Sequence, residues 1–160
     1  STTSTLTAHG KKAKETAIQE FMMPLTEDGV KFLHAHHTAV LSSIDRGGNA
    51  HGAVVYYFVD ANNVIYILTK SETNKAHNVL AHPQVAVTIF SSKNASTLQL
   101  QGQGSVESDS DVRDFIFHEL GKPRKYDDVM DLPPVTKLDK GSFIVLRIRP
   151  TTGVFHDFSK

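Results

Sequence analysis

The residues best equipped for chemistry lie in one short stretch, Thr69-Lys70-Ser71-Glu72-Thr73-Asn74-Lys75-Ala76-His77. It reads as the junction between a strand and a helix. A helix N-terminus offers unpaired backbone N–H groups and the positive end of a dipole, which suits an anion. Thr69, Ser71 and Thr73 add hydroxyl donors, and Lys70 and Lys75 add charge, so the segment can hold a phosphate. The plainer alternative is a polar loop capped by Thr73, because short motifs of this kind recur by chance. Nine histidines come next. In His34-x-His36-His37, residues 34 and 37 share a helix face and could share a metal. No His-Glu-x-x-His pattern accompanies them, and histidines near a helix C-terminus are favoured by the dipole alone, so no metal site is assigned. His51 opens an apolar strand, where an imidazole that titrates near neutral pH can donate a proton. His77 reads as a surface helix residue. Nothing forms a Ser/His/Asp set.

The elements that must position these groups are mostly strands. Thr26 is a helix N-cap with Glu27 and Asp28 in the first turn, opening a helix to about His36 with Val30 and Leu33 on its buried side. Thr38–Ile44, His51–Val59 and Val64–Thr69 are apolar and β-branched. The turns Asp45-Arg46-Gly47-Gly48-Asn49 and Ala61-Asn62-Asn63 join them into an antiparallel meander. Asn74–Ala81 is a short helix stopped by Pro83. Val85–Phe90 and Thr97–Val106 are strands. Gly102-x-Gly104 lies inside the second of these, so it is not a dinucleotide fingerprint, and such glycines mark a bulge or a close approach. Ser110 caps a helix from Asp111 to Leu120 that ends at Gly121, with Val112, Phe115, Ile116 and Leu120 apolar. Lys122–Lys140 is charged and holds Pro133-Pro134, which reads as loop or short helix. The carboxylates Asp127, Asp128 and Asp131 there are solvated. Ser142–Arg149 alternates, Phe143, Val145 and Arg147 against Ile144, Leu146 and Ile148. Pro150 closes that strand, and Val154–Phe158 is a last short one. A helix is also expected over Lys11–Met23, ended by Pro24. Six or seven strands against three or four short helices, without βαβ alternation, give a mainly β chain: an antiparallel, Greek-key, closed or half-closed barrel with flanking helices.

Composition bounds the function. The chain has 160 residues, 39% of them apolar and 21% charged, enough for one domain with a real core. Residues 1–25 read as an N-terminal extension and 26–160 as the domain. Lys+Arg and Asp+Glu are both 17, so the formal charge is zero, which argues against a dedicated nucleic-acid or membrane-surface binder. Without cysteine there is no disulfide, thiolate nucleophile, zinc–thiolate site or iron–sulfur cluster. No apolar run reaches the ~20 residues of a membrane span. The polar first residues lack a signal peptide's apolar region, and together with the missing cysteine this favours the cytoplasm.

Asn62–Phe90, NNVIYILTKSETNKAHNVLAHPQVAVTIF, resembles the core of the pyridoxamine 5′-phosphate oxidase-like family of flavin-binding split barrels. A strand ending in Thr69, a Ser/Thr loop, Lys75 opening a helix, Pro83 as its stop and a strand with Val85 and Val87 follow in that family's order. LQLQGQGSVES (98–108) and FIVLRIRPTTGVFHDF (143–158) are similar to two further family strands, so the resemblance spans roughly residues 26–158. It implies FMN bound at a homodimer interface, with Lys75 on the 5′-phosphate, Thr69 and Lys70 beside it, and Asn74 where the parent enzymes carry arginine. The strand from His51 through Gly52, Val54 and Val55 to Tyr56 would run along the flavin ring, where His51 could bond the ring; Tyr56, Tyr57 and Phe58 could stack on it, although aromatics in a barrel strand more often serve as core or dimer interface. Leu68 would stand at the end of the next strand. Thr97 would occupy the position of a flavin-contacting glutamine, and Phe155 or His156 that of a tryptophan. Tryptophan itself is absent, and the groups that hold the substrate phosphate in the parent oxidases have no counterpart, so the implied activity is a broader flavin-dependent oxidoreduction of a small molecule. The alternatives are a non-catalytic FMN- or haem-binding, redox-sensing protein, with His156 as a haem ligand; a reductase using the deazaflavin F420, for which only Lys70, Lys75 and Lys93 offer charge to the cofactor's tail; and an interaction module without flavin.

Overall fold

A computed structural model describes residues 25–122, 124–126, 129–131 and 143–159. Helix α1 (Glu27–Ala35) begins at the expected cap, where the Thr26 hydroxyl accepts the Gly29 N–H at 3.1 Å. Strands β1 (Thr38–Ile44), β2 (Ala50–Val59) and β3 (Ile65–Lys70) form the meander. Helix α2 (Asn74–Ala81) is followed by β4 (Gln84–Ser91) and β5 (Ser96–Val106). Helix α3 (Ser110–Gly121), the short hairpin β6 (Arg124–Tyr126) and β7 (Val129–Asp131), and the long β8 (Phe143–Asp157) complete the chain. Six strands close into an antiparallel barrel in the order β1-β2-β3-β8-β5-β4. The run β4-β1-β2-β3 within it is a Greek key.

Period-two burial explains the barrel. Leu41, Tyr57, Ile65, Ile67, Val87, Ile89, Leu98, Leu100, Leu146 and Ile148 point inward and form one core, which Phe32 and Leu33 of α1 and Val79 of α2 join. The Tyr57 hydroxyl, buried in that core, donates to the Leu33 carbonyl at 2.6 Å and ties β2 to α1. Burial pushes its ionisation up, out of reach of ordinary conditions. β3 is buried on both faces: Tyr66, with Val64 just before the strand, turns outward into a second cluster with Phe143, Val145, Ile116 and Leu120, which α3 covers. The alternation expected in β8 is present, with Phe143 and Val145 under α3 and Leu146 and Ile148 in the barrel core.

Several boundaries differ from the sequence reading for identifiable reasons. On α1 the inner place beside Leu33 belongs to Phe32, while Val30 is half-buried. Helix α3 is capped one residue earlier than expected, by Asp109, whose Oδ1 accepts from the N–H groups of Asp111 at 2.8 Å and Val112 at 3.3 Å. Arg124–Tyr126 and Val129–Asp131, in a stretch expected as loop or helix, pair as two short antiparallel strands. Pro150 does not end its strand. β8 runs on to Asp157 because its register on β5 slips by one residue between Gln101 and Gly102, which takes up the missing proline N–H in a bulge. Gly102 is required there, since a Cβ would stand 2.7 Å from the Arg149 carbonyl oxygen. The helix expected at 11–23 and the carboxylates Asp127 and Asp128 lie outside the described residues.

One seam of the barrel is open. β2 pairs with β3 only through Tyr57, Phe58 and Val59, while Leu68, Thr69 and Lys70 of β3 pair with β8. The Tyr57 N–H points toward β1, bonding the His37 carbonyl at 2.9 Å. Backbone direction alternates along a strand, so the polar groups of Gly52, Val54 and Tyr56 face the other way, into the gap between β2 and the end of β3.

Candidate functional site

The gap opens at the barrel end formed by the β1–β2 turn, the end of β3 and the N-terminus of α2. Three hydroxyl contacts build that N-terminus. Thr73 Oγ1 accepts the Ala76 N–H at 3.4 Å and donates to the Lys70 carbonyl at 2.9 Å. Because its one proton is used there, the 3.0 Å contact with the buried Thr69 Oγ1 has Thr69 as donor. Thr69 therefore supports the cap. On the inner face of α2, Asn78 Nδ2 donates to Ser43 Oγ at 3.2 Å in a buried contact with β1. The helix is thus pinned so that its first turn, Asn74 and Lys75, stands over the end of the β1–β2 hairpin.

Between them is a cavity of about 260 Å³, lined by Leu41, Ser43, His51, Gly52, Ala53, Asn74 and Lys75. Four residues expected to act together, His51, Gly52, Asn74 and Lys75, share this one wall. Lys75 is half-buried, and desolvation lowers its pKa from the usual lysine value. No carboxylate among the described residues pairs with it, so the cavity holds a desolvated cation that an anion would neutralise. Gly52 adds bare backbone. A Cβ there would meet only Val40 Cγ1, at an ordinary 3.7 Å, so the protein's own packing does not require glycine at this place and the space remains for a ligand.

On the other side, His51 Nε2 lies 2.9 Å from Asp45 Oδ2. Asp45 Oδ1 also accepts from the N–H groups of Gly47 and Asn49, each at 2.9 Å. The His51 contact first, and then the backbone bond from Asn49, lower its carboxyl to about 2. In the sequence Asp45 is only turn chemistry. Its link to His51, six residues on across a hairpin, becomes visible once the strands pair. Ser43 and Asn78 carry no sequence signal either, since nothing local distinguishes a buried Ser–Asn pair.

The other expected residues are distributed elsewhere. Val54 is 71% exposed on the outer face of β2, whereas Val55 is in the core. Leu68 packs on the cluster beneath α3, and Lys70 is exposed at the end of β3. Thr97 and Phe155 are at the opposite end of the barrel. Thr97 pairs with Phe90 and His156 on the outer face. Phe155 turns inward onto Phe32, ring centroids 5.3 Å apart, and borders a separate cavity of about 550 Å³ with His36 and Lys93. A single chain does not bring these two residues to Lys75. His34 and His36 are engaged separately, with Asn63 Oδ1 and the Phe32 carbonyl, each at 2.8 Å. Among the described residues no group of three or more potential ligands could hold a metal ion, and no helix is long and apolar enough to cross a membrane.

A family model described as pyridoxamine 5′-phosphate oxidase matches residues 25–157. Among solved structures the chain is similar to a Listeria innocua protein assigned provisionally as a pyridoxamine 5′-phosphate oxidase, with 23% identity and a TM-score of 0.63 over 84% of this chain and 100% of that one. An F420 reductase aligns with 22% identity and a TM-score of 0.62, covering 82% of this chain and 98% of that one. A pyridoxamine 5′-phosphate oxidase-related, FMN-binding protein of Nostoc punctiforme aligns with 12% identity and a TM-score of 0.62, covering 86% and 88%. No curated protein matches the chain at a significant level.

Proposed function

From the premise that this chain belongs to the pyridoxamine 5′-phosphate oxidase family, we propose that it is an FMN-binding flavoprotein, a homodimer, that catalyses oxidoreduction of a small molecule. The observation that carries the reading is the desolvated Lys75, without a carboxylate partner among the described residues, in one cavity with His51 and Asn74 at the mouth of an open strand seam. Lys75 and the first N–H groups of α2 would hold the 5′-phosphate. The backbone groups of Gly52, Val54 and Tyr56 would bond the polar edge of the ring and favour added electron density there. FMN, when bound, supplies electron or hydride transfer; the protein supplies anchoring, orientation and exclusion of water.

Two features support the dimer. Val40, Val54, Phe90 and Val154 are exposed on the outer face of the barrel that α3 leaves uncovered. Val54, Val40, Thr88, Gln99 and Val154 are successive cross-strand neighbours, so this is one patch, the kind of surface that marks an interface. Thr97 and Phe155 lie at the far end from Lys75, and a second copy on that face could supply them to the first copy's cavity. F420 stands as the second choice of cofactor, supported by the F420 reductase of like fold. Its anionic tail would need a basic track, yet Lys93 lines the other cavity.

The test is a visible absorbance spectrum of the protein as purified and again after addition of FMN and desalting. A retained flavin spectrum that is lost in Lys75→Ala is the expected result. A colourless protein unable to retain FMN overturns the cofactor assignment, and a Soret band would replace flavin by haem.

A further inference from the structure

The Asp45–His51 pair does more than fasten a turn. Asp45 already closes the β1–β2 hairpin through its bonds to the Gly47 and Asn49 N–H groups, and neither bond needs a histidine. His51 is nevertheless held by Nε2 at 2.9 Å from Oδ2, with its ring lining the Lys75 cavity. Nε2 must donate, because an ionised carboxylate only accepts. The remaining ring nitrogen, Nδ1, has no partner among the described residues. If neutral it can only accept a hydrogen bond, and if protonated it can only donate one. A phosphate monoester offers acceptors and negative charge, so it selects the protonated ring.

We infer that Asp45 is a positioning residue that fixes the His51 ring so that its second nitrogen can meet an anion, making the Lys75 cavity a phosphate site whose occupancy is coupled to uptake of one proton by His51. The inference rests on the flavin reading above, with FMN as the phosphate monoester. The charged groups facing His51 are Asp45 from the turn, which favours the imidazolium, and Lys75 from α2, which opposes it until an anion sits between them. Arg46 adjoins Asp45 in the turn, and the other lining residues are uncharged. In the unliganded cavity Lys75 therefore opposes a second cation at His51, and a bound phosphate reverses the sign of that effect. Affinity for FMN then falls as pH rises through the histidine range.

The phosphate and Lys75 titrate as well, so the readout is the ratio of FMN dissociation constants between His51→Gln and the unaltered protein, in which those contributions cancel. The expected ratio is about tenfold or more near pH 6, the scale of one charge-assisted hydrogen bond, closing toward one near pH 8. Riboflavin, which lacks the phosphate, should show no such ratio. Asp45→Asn keeps an acceptor for the turn but removes the charge, and should move the closing point to lower pH. A ratio that is constant with pH, absent, or equal for riboflavin overturns the inference while leaving FMN binding in place. Failure of every variant and of the unaltered protein to bind FMN overturns the flavin reading itself. Should His51→Gln not fold, the ring-proton NMR titration of His51 in the unaltered protein gives the same decision: its midpoint rises when FMN saturates the site, and an unmoved midpoint refutes the coupling.

Discussion

Lys75 is held at a cost to the fold. Its burial disfavours the ammonium form, and no described carboxylate offsets this. The folded-state pKa lies below the unfolded one, so at neutral pH the charged side chain opposes folding, and stability rises with pH only as the group approaches its lowered value. Lys75→Met keeps the stem and removes the charge. It is expected to raise the melting temperature of the ligand-free protein slightly while weakening FMN binding about 10–100-fold, the equivalent of ~1.5–3 kcal/mol for a bond to a charged group. Calorimetry and a flavin fluorescence titration on one preparation check both halves. A variant less stable and equally avid for FMN would make Lys75 a structural residue. The sequence shows Lys75, Asn74, Thr69 and Thr73 because they are contiguous and sit on a strand-to-helix junction. It does not show that Thr69 spends its proton on the Thr73 hydroxyl, nor that Asp45 grips His51, because those contacts depend on strand register and on α2 being pinned by Asn78 to Ser43.

At the scale of elements, β8 shows how a residue that usually breaks a strand is absorbed. The sequence divides this segment at Pro150, and local chemistry justifies that, since proline brings no N–H to a ladder. The strand continues because β5 offers Gly102 opposite Pro150, a slip in register after Gln101, and a side-chain bond from Thr151 Oγ1 to the Gln101 carbonyl at 3.2 Å. A compensation on another strand is invisible to a reading made one segment at a time, whereas β1 and α2, whose signals are local, were legible to the residue. Gly102→Ala is expected to destabilise the fold by ~1–3 kcal/mol, because the neighbour in the way is backbone and not a movable side chain. A urea midpoint measures it, and an unchanged midpoint would mean that the bulge relaxes freely. The loss should also reach Thr97 and Phe155, which lie beyond the bulge on the same two strands.

For the whole molecule, the arrangement of ends matters most. α1 and Phe155 occupy one mouth of the barrel, and α2 with Lys75 the other. Residues read from the sequence as one site are thus at two poles, and the proposed symmetric partner would reconcile them. Val54→Glu puts a charge on the uncovered apolar face, at its β2 end. Being exposed in a single chain, it should change monomer stability by no more than about 0.5 kcal/mol, yet shift the protein to monomer in light scattering and lower its FMN content together. A dimer that survives this charge would place the interface elsewhere. The open seam has a consequence of another kind. Backbone donors and acceptors left along Gly52–Tyr56 form a template on which a strand from any other chain can grow. A planar ring lodged against them would act as a guard for the edge as well as a reagent. Synthesis that outpaces the flavin supply is therefore expected to leave more of the chain in inclusion bodies, and riboflavin added to the growth medium to return it to the soluble fraction. Equal partition with and without the vitamin would mean that the fold shields its own edge.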